Sequence, residues 1–344
     1  MNVNDAPKWC HPGTFMSPEM TRTLKVDSRT NEVRSKALVK LINETPLDYT
    51  SQALEVVNIG YNGVGNGHKE ATKDGEQAVS AAILYWATDN KTYAQMAVNI
   101  IKNWSNKNKV WKGDNAILEA SWSVCSLARA AELLKYAKDS SVVSAWKAIE
   151  PSFYKWIDTV IMPVLTNDTI WKWPLIGNWH FSQICARMQL AILRENKQEF
   201  TWCVQHYRQG INSAIISKRC QGEISETCRD VTHAQFLLGG LIQAPEMALH
   251  QGVNLYDDRL VQVFELQARI MMKEIPNGFT KDEIRTPYGY WQEPVWCIAQ
   301  THFVGRKKKE MPHTEAYIKQ IGPEKVTFHW GPCSLTHFNR CLNL

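Results

Sequence analysis

Two segments of the chain gather polar residues that could hold an anion and move a proton, each beside an apolar run. The first ends in Gly177, Asn178, Trp179 and His180 and leads straight into an apolar stretch. Gly177 and Asn178 suit the turn into a helix, so Asn178 and His180 should project from its first turn, where the helix dipole favours bound anions. A plainer reading makes Asn178 an N-cap and His180 a packed histidine. The second segment runs from Glu226 to Phe236. Here Arg229, His233 and Phe236 fall on one helical face at i, i+4 and i+7, and that face continues into Leu237, Gly240 and Leu241. An arginine and a histidine on the buried side of a helix are costly without an anionic partner. Asp230 could be that partner from within; an anionic ligand in a central cavity is the other candidate.

The elements that must position these residues are helical. Apolar periodicity predicts helices over 77–87, 93–104, 116–136, 142–160, 181–194, 198–216, 231–250 and 257–272. Turn chemistry separates them, as at Thr88 to Asn90, Lys138 to Ser141 and Pro276 to Gly278. The helices alternate in character. One member of a pair is rich in small residues (Ala78 to Ala82, or Leu237 to Leu241) and the next carries charge. That alternation predicts an all-α fold of the α/α-toroid type, an incomplete barrel of helical hairpins with buried inner and wetted outer helices. No fixed sequence period marks a solenoid, and no Pro/Ser-rich linker divides the chain. Residues 1–344 are therefore expected to form one domain, with residues 1–20 as an N-terminal extension.

Composition narrows the partners. A net charge of +5 without a long basic block makes nucleic acid a poor candidate, but would speed encounter with a polyanion. No apolar run approaches the ~20 residues that cross a bilayer, so no membrane partner is expected. The 14 tryptophans exceed what core packing ordinarily uses. Trp173, Trp179, Trp291 and Trp330 stand beside polar clusters, where an indole face could stack on a sugar ring. The nine cysteines, with Cys220/Cys228 and Cys333/Cys341 as close pairs, and the sequons at Asn43, Asn90, Asn103 and Asn167 predict disulfides, glycosylation and an extracellular setting. No signal peptide is visible in the sequence.

Several motifs in order resemble the alginate-lyase superfamily: His11-Pro12-Gly13, Asp74-Gly75, Gly177-Asn178-Trp179, then Cys228-Arg229-Asp230 with His233 and Gln235, and Gln251 to Tyr256. The similarity runs from about residue 10 to the C-terminus. It implies an α/α toroid that degrades polyuronates by β-elimination. Asn178, Arg229 and His233 would neutralise the substrate carboxylate, since an amide and a guanidinium pair well with one. His180 would take the C5 proton, its ordinary pKa lying near 6.5. A tyrosine would complete the site, with Tyr288 favoured and Tyr290 or Tyr256 as other choices. Trp173, Trp179, Gln235, Tyr290 and His302 would bind the sugar chain. Thr301 to Arg306 resembles a segment in which relatives carry tyrosine where this chain has Phe303, so that hydroxyl must come from elsewhere if it is used.

The resemblance implies no cofactor and no metal, an acidic polysaccharide as partner, and action as a monomer. Two rivals stand beside the lyase. A toroid glycoside hydrolase acting on uronyl oligosaccharides would need two carboxylates across the cavity, such as Asp74 and Asp230. A non-catalytic acidic-glycan-binding protein would bind without turnover.

Overall fold

The structure, a computed structural model, describes residues 6–60, 64–167 and 177–339. The chain opens with a hairpin, α1 (Pro18–Thr30) and α2 (Glu32–Glu44), which the apolar periodicity had not indicated. Inner and outer helices then alternate. The inner ones are α3 (His68–Thr88), α5 (Ala116–Lys135), α8 (Asn178–Leu193) and α10 (Val231–His250). The outer ones are α4 (Lys91–Lys107), α6 (Ser140–Trp156), α9 (Lys197–Ala214) and α11 (Leu260–Met271), with a short α7 (Met162–Leu165) following α6. Three further helices, α12 (Trp296–Ala299), α13 (Pro312–Ile321) and α14 (Cys333–Thr336), end the described chain.

Each inner helix packs on the next, α3 on α5, α5 on α8 and α8 on α10; α12, α14 and the α1/α2 hairpin carry the ring back to α3. This is an α/α toroid. Small residues let the inner helices approach closely. A Cβ on Gly240 would lie 2.4 Å from Cβ of Phe181, so α10 and α8 touch backbone to side-chain root. Side-chain caps start the outer helices: Asn90 accepts from Thr92 N at 3.0 Å and Asn196 from Glu199 N at 3.1 Å. Each such cap is worth about 1 kcal/mol.

The inner helices run parallel. Thr72 bonds Glu119 and Trp86 bonds Leu133, both 47 residues apart, so α3 and α5 keep one offset along their length. Trp122 to Ser182 and Arg129 to Gln189 do the same for α5 and α8, at 60 residues. Phe181 meets Gly240 and Cys185 meets the Ala244 backbone, both 59 residues apart, so α10 runs the same way. All four inner N-termini therefore gather at one end of the ring and all four C-termini at the other.

The C-terminal end is sealed by the N-terminal segment. Glu132 on α5 accepts from His11 Nδ1 (2.8 Å), Gly13 N (3.0 Å), Thr14 N (2.8 Å) and Thr14 Oγ1 (2.6 Å). Gln251 exchanges bonds with the backbone of Cys10, and Lys8 N donates to the Gln251 carbonyl at 2.8 Å. The His11-Pro12-Gly13 and Gln251 motifs thus close the base of the toroid. A small sheet of β1 (Val56–Ile59), β2 (Gly65–Asn66) and β3 (Val110–Lys112), ordered β2-β1-β3, packs against α3 and α5.

One expectation changes here. Among the described residues no disulfide forms: Cys220 and Cys228 are free, half-buried thiols, and Cys333 is a fully buried one. The turn around Cys220 is held instead by Arg219, which bonds Glu223 through its backbone at 2.7 Å and its guanidinium at 2.6 Å. Cys341 lies outside the described residues. Phe303 is wholly buried, edge-on to Tyr256 with ring centres 5.7 Å apart, so it fills the core rather than facing a cleft.

Candidate active site

The site is built at the end where the inner N-termini meet. Gly177 turns the chain into α8 at φ +75°, and any Cβ there would sit 2.3 Å from Oε1 of Glu226. Glycine is required by both conformation and space. The close approach brings Glu226 to the helix start, where its Oε1 accepts from Asn178 N at 3.2 Å and Asn178 Nδ2 at 2.9 Å. The other oxygen accepts from Arg229 Nη1 at 3.3 Å. The three side chains form a chain, Asn178 to Glu226 to Arg229. Its inner end is closed, because Asn178 has no exposure. Its outer end is open, with the Arg229 side chain 48% exposed.

Arg229 lies in the turn before α10 rather than on the helix, since Asp230 is the N-cap and accepts from His233 N at 2.9 Å. Asp230 has a second task. Its Oδ2 stands 2.6 Å from His233 Nδ1, so the internal carboxylate pairs with the histidine and not with the arginine. A carboxylate on Nδ1 fixes the tautomer that leaves Nε2 as the free acceptor. The His233 side chain is 20% exposed, and the ring of Tyr288, itself 67% exposed, lies 6.1 Å away at 66°.

Below these lies an aromatic floor. Trp122 of α5, Phe236 of α10, Phe328 and Trp291 contact one another at ring distances of 4.5 to 5.8 Å. Beneath the floor His329 Nδ1 meets Oε2 of the fully buried Glu293 at 2.9 Å. A cavity of about 10 Å³, room for roughly one water, is lined by Trp122, Ser182, Gly240, Gln243 and His329. Among the described residues no cluster of three or more His, Cys, Asp or Glu is arranged to hold a metal ion.

Several residues singled out in the sequence stand elsewhere. His180 is two positions from Asn178, about 200° around the helix, and faces the outer helix α9. Its Nε2 lies 3.3 Å from the His206 carbonyl, and Gly210 closes on its ring. Burial pulls its pKa down to about 4, so it is neutral, but walled off from the ring interior. Gln235 has no exposure. His302 is buried at the opposite end, stacked on Tyr256 at 3.3 Å beside Arg306. Trp330 is buried beneath the Arg129 guanidinium, 4.3 Å from its ring centre. Trp179 is half-buried at the start of α8, Tyr290 sits on the same rim loop as Tyr288, and Trp173 lies outside the described residues. The sequence reading named Glu226 without a task and did not single out Glu293 or His329. Nothing local marks Glu293 or His329, whereas Glu226, three residues before Arg229, was within reach of an ion-pair argument.

With this geometry in hand, the comparisons with known proteins are specific. The family model described as alginate lyase matches residues 34–272, more than half of the chain. Alginate lyase A1-III from Sphingomonas species A1 superposes with a TM-score of 0.64 at 12% identity, covering 98% of this chain and 99% of that one. An alginate lyase from Bacteroides ovatus gives 0.64 at 12% identity, with coverage of 95% and 99%. A variant of A1-III complexed with a tetrasaccharide gives 0.56 at 16% identity, with coverage of 82% and 85%. At these identities the structural likeness establishes the fold. Comparison with curated protein sequences gives no match.

Proposed function

The chain belongs to the alginate lyase family, and on that premise we propose that it is a polysaccharide lyase cleaving a β-1,4-linked uronate polymer, alginate or glucuronan, by β-elimination. One observation carries the reading. At the open end of the toroid an arginine with an exposed head, a histidine oriented by a carboxylate, and a tyrosine 6.1 Å from that histidine converge beside an aromatic floor.

Each group has a task. Arg229 neutralises the uronate carboxylate, which makes the neighbouring C5–H acidic enough to leave. Asn178 acts through Glu226, setting the arginine's position. His233 takes the C5 proton on Nε2; the C–H electron pair becomes the C4–C5 double bond as the C4–O4 bond breaks. Tyr288 gives its proton to the departing O4, and before the next turnover His233 releases the proton it took while Tyr288 regains one. The four inner helix N-termini add positive potential at this rim, which favours a polyanion.

The hydrolase rival loses its carboxylate pair. Asp74 is fully buried and accepts from Tyr49, Ser51, Gln52 N and Trp104 at 2.6 to 2.9 Å, while Asp230 is committed to α10 and His233. A screen of polymannuronate, polyguluronate and glucuronan from about pH 5 to about pH 10 tests the lyase, because proton transfer must find its working pH in that span. Ultraviolet absorbance from the new double bond is expected on at least one polymer. Silence on all three ends the proposal.

A further inference from the structure

One pair of rim residues has no part in that chemistry. The Trp291 indole N–H donates at 3.1 Å to Oε2 of Glu293, the same oxygen that meets His329. Glu293 is buried without exposure, so the indole is anchored from below. Trp291 stands edge-on to Phe236 at 5.8 Å, and Phe236 stands 5.8 Å from His233. The indole is therefore two ring contacts from the histidine that takes the proton. Over it lies Lys325, whose Nζ is 5.9 Å from the ring centre. Lys325 is exposed and, among the described residues, makes no ion pair within 4.0 Å. Glu76 on α3 feels its charge, but burial raises that carboxyl's pKa to about 7, so near neutrality it balances the ammonium only in part.

A half-balanced cation with no close ion pair, above an anchored indole, suits one kind of ligand. A pyranose presents an apolar C–H face that packs on an aromatic ring. A uronate adds a carboxylate at the ring's edge, within reach of a compact ammonium. We propose that Trp291 and Lys325 form a uronate-binding subsite beside the reacting sugar, the indole taking the ring and the ammonium its carboxylate. The inference rests on the uronate-polymer reading and adds which residues hold the uronate next to the reacting one. A neutral sugar there would stack but leave the ammonium unanswered.

The test compares Lys325→Ala, Lys325→Glu and Lys325→Arg with the parent chain, using polymannuronate for both turnover and affinity electrophoresis. Lys325→Ala should raise KM about tenfold with kcat unchanged, which corresponds to about 1.4 kcal/mol. Lys325→Glu should raise it further, and Lys325→Arg should restore it. A packing defect would not follow charge in this order. If KM and gel mobility are the same in all four proteins while product forms, the subsite is wrong and the lyase reading stands. If the parent makes no unsaturated product from polymannuronate, polyguluronate or glucuronan, the lyase reading fails. The gel still decides the subsite: weaker retardation of Lys325→Glu supports it, and equal retardation overturns it.

Discussion

The two ends of α10 carry almost the same side chains and do opposite things with them. At the N-terminal end stand Asp230, His233, Glu226, Arg229 and Tyr288. At the C-terminal end stand Glu246, His250, His302, Arg306 and Tyr256. His233 and Glu246 are 13 residues apart, about 20 Å along the helix at ~1.5 Å per residue. At the lower end every valence of the carboxylate is used. Arg306 grips Glu246 through two bonds of 2.9 Å, Tyr256 donates to the same carboxylate, and His250 Nε2 lies 3.3 Å from it. Burial alone would push the Glu246 carboxyl up, but Arg306 beside it holds it well below the usual carboxylate range. At the upper end Arg229 makes one long bond, to Glu226, among the described residues, and its side chain is 48% exposed. Residue type does not separate a site from a staple; unspent donors and exposure do.

The largest effect that would sharpen this contrast is at the lower end. Arg306→Met should remove about 3–5 kcal/mol of stability, because it leaves the Glu246 carboxylate buried without its cation. Urea unfolding reads the loss as a lower midpoint, and activity per folded molecule should survive. Arg229→Ala should behave in the reverse way. Its kcat on the best uronate polymer should fall by on the order of 10²–10³, as when one donor to a developing charge is removed. Its urea midpoint should fall far less, since the arginine head is 48% exposed and Glu226 keeps both of its bonds from Asn178. If Arg229→Ala unfolds the protein, or Arg306→Met keeps the midpoint and kills turnover, the assignment of the two ends is inverted.

How far this contrast was legible in the sequence depends on what a linear pattern can carry. The hairpins were legible: the span 231–250 is read to its ends, and 116–136 overshoots α5 by one residue. Helix periodicity reports burial, and burial of inner helices is what the toroid repeats. The grouping of Arg229 with Asp230 and His233 was legible too, because the three lie within about one turn of sequence. The direction of His180 was not. An inner helix of a toroid is buried on most sides, so its polar residues carry no amphipathic bias, and one two positions from Asn178 can face the outer layer unnoticed. His302 misled for a related reason. Thr301 to Arg306 holds the residues of a site, yet its arginine is committed to Glu246, 60 residues away in sequence. Contacts across the ring also escape a local reading, and Glu293 with His329 is of that kind.

The smallest expected effect tests whether burial, rather than which end a group occupies, sets its chemistry. His180 lies near the open end and His302 at the closed one, and burial lowers the pKa of both to about 4. In the unfolded chain each should titrate near 6.5. Between those values the unfolded chain binds protons that the folded chain refuses. Stability is therefore unaffected by either group above about pH 6.5 and declines as pH falls from there toward 4. At about pH 5.5, one unit below the unfolded value, each histidine should cost about 1.4 kcal/mol. Urea midpoints measured down that range should fall for the parent protein, and His180→Phe and His302→Phe should each flatten the slope by up to one proton. Equal flattening ties both to burial alone. A slope that only His302→Phe changes would mean that His180 reaches water near the open end, and its exclusion from the proton-transfer step would have to be withdrawn.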